Sequence, residues 1–156
     1  MKIFVDIGSH IGETLVEVTK EKYAFDKIYC FEPSLYCIDD LKKFADQDHR
    51  ITICDFGLSN KNQDAELFQP GSLGGTIVKG QIHDLGKDHD ETFRDDRAAE
   101  KIKLCDANEW FSKNINPDDY IVVKTNCEGS EVDILDSLID GNFMKNIYSF
   151  LITFDI

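Results

Sequence analysis

Basic residues are scarce in this chain of 156 residues: 17 lysines and arginines stand against 30 aspartates and glutamates, which gives a formal net charge of −13. That charge would repel a phosphate backbone or an acidic membrane surface unless the cations formed a stripe, and the sequence contains no such stripe. We therefore expect neither nucleic acid nor a membrane as a partner, and we favour partners that are neutral or small.

Long apolar runs are also missing. No run approaches the roughly 18 apolar residues of a membrane-spanning helix, and the first residues lack the basic-then-apolar pattern of a secretion signal. These absences predict a cytoplasmic protein. The length and the 42% hydrophobic content suit a single domain over residues 1–156 with one packed core.

Cysteines are present but not grouped. None of the five forms a CxxC pair, so we interpret them as buried, reduced thiols rather than zinc ligands. We predict an exposed loop over about 80–100, a candidate lid for recognising an acceptor. Its histidines and aspartates follow no compact ligand spacing, and no metal site is predicted: they are His83, Asp84, Asp88, His89 and Asp90.

Apolar runs alternate with segments of helical periodicity. The βαβαβ order of the first third predicts right-handed crossovers and a mostly parallel α/β sheet with helices on both faces. Strands are predicted over 2–7, 27–32, 50–57, 64–69, 101–106, 119–126 and 147–156, and helices over 12–21, 33–46, 107–115 and 128–141. The spacing predicts two buried helical faces, formed by Leu35, Ile38, Leu41 and Phe44, and by Val132, Leu135, Leu138 and Ile139.

The stretch VDIGSHIGET, residues 5–14, predicts a strand that turns through glycines into a helix. A dinucleotide-binding turn has the pattern GxGxxG, but His10 takes the place of its second glycine and Glu13 the place of its third. The Glu13 carboxylate would repel a diphosphate at the helix N-terminus. The turn therefore argues against NAD or FAD and favours a ligand without phosphate. A turn that binds no ligand is the alternative.

Glu32 ends the second predicted strand, where an acid can accept hydrogen bonds from both hydroxyls of a ribose. Pro33 fixes the turn beyond it, and Asp55 or Phe56, near the end of the third strand, is expected beside an adenine edge. A nucleoside with an amino-acid tail and no phosphate is S-adenosylmethionine. The alternative is that Glu32 is an ordinary exposed acid at a strand end.

The chain resembles the FkbM-type methyltransferases, which are class I enzymes that use S-adenosylmethionine. The matching pieces, in the family's order, are VDIGSHIGET, YCFEPS, FGLSNKNQDAELF, KLCDANEWF and VVKTNCEGSEVDIL. The resemblance implies a Rossmann-like class I methyltransferase fold. It also implies methyl transfer to a hydroxyl on a sugar, a glycan or a small natural product.

The same resemblance implies roles for individual residues. The methionine end of the cofactor would lie on the first turn, its ribose at the second strand and its adenine at the third, while the segment 124–129 would floor the transfer site. The implied cofactor-binding residues are Asp6, Gly8, Ser9, His10, Gly12, Glu32, Pro33, Asp55 and Phe56.

Two departures from the family pattern keep alternatives open. The family has aspartate where this chain has Asn126, and an amide can only orient groups by hydrogen bonds. The sequence also stops at its last predicted strand, so the antiparallel hairpin of a complete class I sheet is missing. We expect either a truncated piece or a second copy that covers this edge. The second hypothesis is a weak or inactive relative that binds S-adenosylmethionine. The third is an NAD-dependent oxidoreductase.

A hydroxyl acceptor benefits from a general base. The candidates are His10, Glu128 and Asp106, with Asn126 as a further catalytic residue. Each base has a plainer interpretation: His10 as a turn-shaping residue, Glu128 as an acid at a helix start, and Asp106 as a helix N-cap. Likewise, Trp110 and Phe111 are more typical of a helix core than of a sugar-stacking platform.

Overall fold

The computed structural model describes residues 1–72, 74–79, 97–127 and 129–153. Its strands are β1 (Lys2–Ile7), β2 (Lys27–Phe31), β3 (Ile51–Cys54), β4 (Gly57–Ser59), β5 (Gln63–Leu67), β6 (Glu100–Asp106), β7 (Tyr120–Thr125) and β8 (Ile147–Ile152). Its helices are α1 (Leu15–Val18), α2 (Leu35–Gln47), α3 (Ala107–Asn114) and α4 (Glu131–Asp140), with 3-10 turns at Glu21–Tyr23 and Met144–Asn146.

A five-stranded sheet in the order β3-β2-β1-β7-β8 forms the centre of the molecule. All its neighbours are parallel, which confirms the predicted α/β architecture. The chain first runs outward from β1 to β3 and then returns to the other side of β1 as β7. The connections therefore diverge between β1 and β7, and a crevice forms outside the carboxyl ends of parallel strands at such a point.

Strict alternation along the strands builds a core on each face of this sheet. In β1, Ile3, Val5 and Ile7 pack with α3 and α4 against one face, while Phe4 packs with α1 and α2 against the other. Both faces are covered because a parallel sheet with helical crossovers buries apolar residues on both sides. Asp6 shares the face of Phe4 and is fully buried.

A second, three-stranded sheet has the order β4-β6-β5. The prediction of one continuous strand over 50–57 is wrong. The segment splits into β3 and β4, and these strands belong to different sheets. The predicted helix over 12–21 is also shorter, because hydrogen bonds from Gly12 N to Ser9 O and from Leu15 N to Gly12 O form turns before α1 begins.

The predicted helical faces need correction where polar residues point inward. In α4 the buried apolar residues are Ile134 and Leu138, whereas Val132 and Ile139 are each 57% exposed. Buried Glu131 and Ser137 of α4 instead accept hydrogen bonds from backbone N–H groups, so hydrogen bonding set this face. In α2, Ile38 and Leu41 are buried as predicted, but Leu35 is exposed.

Several predictions lie largely outside the described residues. The polar loop over about 80–100 falls mostly on residues 80–96, and its histidines and aspartates lie within that gap. Within the described ranges, no group of histidine, cysteine and acidic side chains could hold a metal ion, and no helix is long and apolar enough to cross a membrane. All five cysteines are free thiols, and Cys30, Cys37 and Cys54 are buried.

Candidate functional site

A cavity of about 370 Å³ opens at the carboxyl ends of β1, β2 and β7, where the connections diverge. Its polar floor consists of Gly8, His10, Glu32, Lys124 and Asn126. Its apolar roof consists of Leu58, Leu67, Ile77, Ile102 and Leu104, which come from the small sheet and the segment after it. A mostly apolar cleft with a few convergent polar groups is the usual form of a small-molecule site.

The glycine turn lets two strand ends meet. Gly8 has a φ of +79°, and a Cβ added there would lie 2.0 Å from the carbonyl oxygen of Asn126. The N–H groups of Gly8 and Ser9 both donate to the carbonyl of Phe31 at 3.0 Å. Only glycine fits this close approach, and the approach puts the ends of β1, β2 and β7 around one space.

Glu32 is a buried acid with two backbone donors. One carboxylate oxygen accepts from the N–H of His10 and the other from the N–H of Ser34, both at 2.9 Å. Burial raises the pKa of Glu32, and these two hydrogen bonds oppose the rise. Glu32 is only 8% exposed, so it is not an ordinary exposed acid. Each carboxylate oxygen has a second lone pair, and the residue lines the cavity.

His10 lies between two acceptors. Its Nδ1 is 2.6 Å from a carboxylate oxygen of Glu13, and its Nε2 is 3.4 Å from the carbonyl oxygen of Gly71. A carboxylate and a carbonyl only accept, so a ring nitrogen that carries a proton donates to whichever of the two it faces. Partial burial acts to raise the pKa of Glu13. Hydrogen bonds, of which the one with His10 has the largest effect, outweigh burial and lower the pKa below its ordinary value.

Asp6 and Lys124 form an ion pair between neighbouring strands, where they are register partners. The Lys124 ammonium lies 3.0 Å from the carboxylate of Asp6 and donates to the carbonyl of Gly8 at 3.2 Å. Burial raises the pKa of Asp6, and Lys124 opposes the rise. Asp6 therefore lies beneath the turn, and the Lys124 side chain reaches the cavity wall.

A second buried glutamate holds the loop after β7. Glu131 accepts from the N–H groups of Cys127 and Gly129, both at 2.8 Å. This arrangement fixes the backbone beside Asn126, whose own N–H donates to the carbonyl of Ile7 at 3.0 Å. The sequence interpretation missed this role of Glu131. An acid in the first turn of a helix, just after a glycine, was the available signal.

The roof is held in place by contacts that no sequence motif predicted. Phe68 pairs with Thr76 across the turn between them. The Arg97 guanidinium donates to the carbonyl of Pro70 at 2.9 Å and lies 4.0 Å from the ring centroid of Tyr36 in α2. These contacts hold residues 68–72 and 74–77 over the floor, with the carbonyl of Gly71 facing His10.

The remaining predicted site residues lie in different places. Pro33 lines the cavity, but Asp55 and Phe56 do not; Gly57 and Leu58 line it instead. Phe56 packs edge-on against Phe31, with ring centroids 5.6 Å apart. Ser9 is buried beneath the turn, where its hydroxyl donates to the carbonyl of Asp6.

His10 lines the cavity, and the other two candidate bases, Asp106 and Glu128, differ from it. Asp106 is the N-cap of α3 and accepts from the N–H of Glu109 at 2.8 Å, and it is not among the cavity residues. Glu128 lies outside the described residues. Trp110 and Phe111 pack in the core, with Trp110 edge-on to Phe31 at 4.6 Å.

A comparison with solved structures supports this fold. The chain is similar to the crystal structure of the methyltransferase FkbM from Methylobacillus flagellatus KT, with a TM-score of 0.53 and 18% sequence identity. The match covers 90% of this chain and 29% of that chain. No family model and no curated protein matches the sequence. At this identity the similarity shows the fold alone, a mostly parallel α/β sheet with helices like that of the methyltransferase neighbour, and it supports the resemblance to the FkbM-type family only at that level.

Proposed function

We propose that the protein is an S-adenosylmethionine-dependent methyltransferase that acts on a hydroxyl of a sugar, a glycan or a small natural product. The observation that carries this proposal is Glu32: a buried carboxylate in the cavity wall, hydrogen-bonded to the glycine turn, with lone pairs left for a ribose diol. The methyltransferase fold of the structural neighbour supports the same reaction class.

The floor and the roof suit the two parts of such a cofactor. Glu32 would accept from the ribose hydroxyls, and the turn 8–12 would hold the amino-acid end. The adenine would pack against Pro33 and Leu58, next to the predicted contacts Asp55 and Phe56. When bound, S-adenosylmethionine supplies a methyl group on a sulfonium.

The chain's own contribution would be alignment and the exclusion of water. The apolar roof keeps water from the acceptor, and the carboxamide of Asn126 orients the acceptor hydroxyl by hydrogen bonds. His10 is the base candidate among the described residues, because Glu13 fixes its ring beside the cavity. Glu128 remains the other candidate.

A binding protein without turnover is the second candidate, and Asn126 favours it. An amide at the cavity floor cannot take a proton from an acceptor. An NAD-dependent oxidoreductase is not favoured, because His10 and Glu13 crowd and charge the place where a diphosphate would lie.

Calorimetry tests the ligand class. We expect S-adenosylmethionine and S-adenosylhomocysteine to bind and NAD not to bind. Glu32→Gln removes charge-assisted hydrogen bonds worth about 1.5–3 kcal/mol, so the affinity should fall roughly tenfold to a hundredfold. The matched control is Glu66→Gln, since Glu66 is an exposed residue of β5. Binding of NAD alone would overturn the proposal.

A methyl-release assay on a panel of glycans and small hydroxyl compounds separates the enzyme from the non-catalytic binder. Turnover supports the enzyme. Cofactor binding without turnover, together with turnover in Asn126→Asp, would show that the amide is the defect.

A further inference from the structure

Lys124 has a donor left over. An ammonium has three protons, and the structure gives this one two partners among the described residues: the carboxylate of Asp6 at 3.0 Å and the carbonyl of Gly8 at 3.2 Å. The Lys124 side chain is 22% exposed, and the residue lines the cavity. The third proton is therefore available to a ligand that lies on the glycine turn.

The charges around the cavity leave few places for an anion. The acids that line it are Glu13 and Glu32, and Asp6 lies beneath its floor. Among the described lining residues, Lys124 is the one side chain with a permanent positive charge. An anionic group of a ligand would be repelled by the carboxylates and attracted at Lys124.

Lys124 and Glu32 contact the same turn at different points. Lys124 donates to the carbonyl of Gly8, and Glu32 accepts from the N–H of His10, two residues further along. A ligand that places a diol at Glu32 and lies along the turn would carry its other end toward Lys124. This order, from diol to anion, matches a nucleoside with an amino-acid tail.

We propose that the Lys124 ammonium binds the α-carboxylate of the cofactor's amino-acid tail, and that Asp6 is the positioning residue that holds the ammonium at the turn. This inference rests on the proposed function, because it assigns one end of the proposed ligand. Lys124 is thereby a specificity residue: it selects nucleosides that carry the tail over nucleosides that lack it.

The test compares two ligands on the unaltered protein and on its variants by calorimetry, with no acceptor present. S-adenosylhomocysteine carries the tail, whereas 5′-methylthioadenosine has the same nucleoside and a thioether but no tail. Lys124→Met should weaken binding of S-adenosylhomocysteine roughly tenfold to a hundredfold, the range expected for losing a charge-assisted hydrogen bond, and should change binding of 5′-methylthioadenosine by less than about threefold. Lys101→Met is the matched control, since Lys101 is exposed on β6.

The outcomes separate the two proposals. An equal loss for both ligands, or no loss for either, overturns the role of Lys124 while the proposed function stands. If the unaltered protein binds neither ligand, the proposed function fails and this inference fails with it. Since no acceptor is present, a carboxylate on the acceptor cannot produce the expected pattern.

Folding needs its own control, because Lys124→Met leaves Asp6 as a buried carboxylate without its cation. The double variant Asp6→Asn/Lys124→Met removes both charges and keeps the side-chain volumes similar. We expect this variant to fold, as judged by circular dichroism and thermal melting, and still to lack the preference for S-adenosylhomocysteine. A double variant that recovers the preference would overturn the inference.

Discussion

The two ends of the central sheet carry similar residues and use them differently. At the amino end, charged groups form hydrogen bonds within the chain: Arg50 pairs with Asp48 and donates to the carbonyls of Thr19 and Phe25. At the carboxyl end, Lys124 keeps an unused donor and Glu32 keeps unused lone pairs beside a cavity. A charged residue next to a strand therefore does not by itself indicate a site.

The pKa shifts of two aspartates express the same difference. Hydrogen bonds from Arg50 hold the pKa of Asp48 below its ordinary value, so the charged form of Asp48 stabilises the fold. Burial raises the pKa of Asp6 in spite of Lys124, so the charged form of Asp6 opposes folding. The charged form is therefore favoured by folding at Asp48 and disfavoured by folding at Asp6.

Geometry explains why a cavity forms at the carboxyl end of the sheet. At the carboxyl end the connections from β1 and β7 leave toward opposite sides of the sheet, and the small sheet covers the gap between them. At the amino end, the N-terminal ammonium pairs with Asp119 at 2.5 Å, and the N–H of Lys2 donates to Asp26 at 2.7 Å. These contacts link neighbouring strand starts.

The largest effect should come from Gly8→Ala at the carboxyl end. The added Cβ would lie 2.0 Å from the carbonyl oxygen of Asn126 at a φ of +79°, so β1 and β7 must separate. We expect a loss of more than about 3 kcal/mol in the free energy of unfolding, measured by urea denaturation. Gly75→Ala is the control, because its Cβ would meet its nearest atoms at 3.4 Å. Equal stability of the two variants would contradict the close approach.

Arg50→Met should have a smaller effect and should act on stability alone. It removes hydrogen bonds to Asp48, Thr19 and Phe25, and we expect a loss of about 2 kcal/mol after allowance for partial exposure. The affinity for S-adenosylhomocysteine should not change, because Arg50 lies at the opposite end of the sheet. Lys43→Met, on the surface of α2, should leave the stability unchanged within experimental error, because its ion pair is exposed to solvent. A changed affinity in Arg50→Met would show that the two ends are coupled.

The smallest effect is a dependence on pH. Because the pKa of Asp48 is lower in the folded chain, its contribution to stability is present above the unfolded pKa of about 3.9 and is lost as the pH falls through the folded value. Asp48→Asn should therefore lower the free energy of unfolding at pH 7, by about 1 kcal/mol or less, and the deficit should shrink below about pH 4. In the Arg50→Met background this dependence should be weaker, because the side-chain hydrogen bonds are lost while the backbone N–H of residue 50 still donates to Asp48. A deficit that stays constant with pH would contradict the pairing.

Local patterns predicted the central sheet well and the site in part. The alternation in β1 and β2 and the glycine turn were readable because they depend on residues close together in the chain. The assignment of Val132 and Ile139 to a buried face failed, because Glu131 and Ser137 take inward positions to accept backbone hydrogen bonds. Apolar periodicity alone does not anticipate a buried polar side chain, whether its partner lies in the preceding loop, as for Glu131, or in another helix, as for Ser137.

The sequence by itself determined the parallel α/β sheet, the glycine turn at the end of β1 and the acid at the end of β2, since each follows from local spacing. Only the tertiary structure decided that Lys124 lies beside Asp6 and that Leu67 and Ile102 roof the cavity. The physical reason is distance along the chain: these contacts join residues that approach one another only when strand order, register and crossover direction are set together.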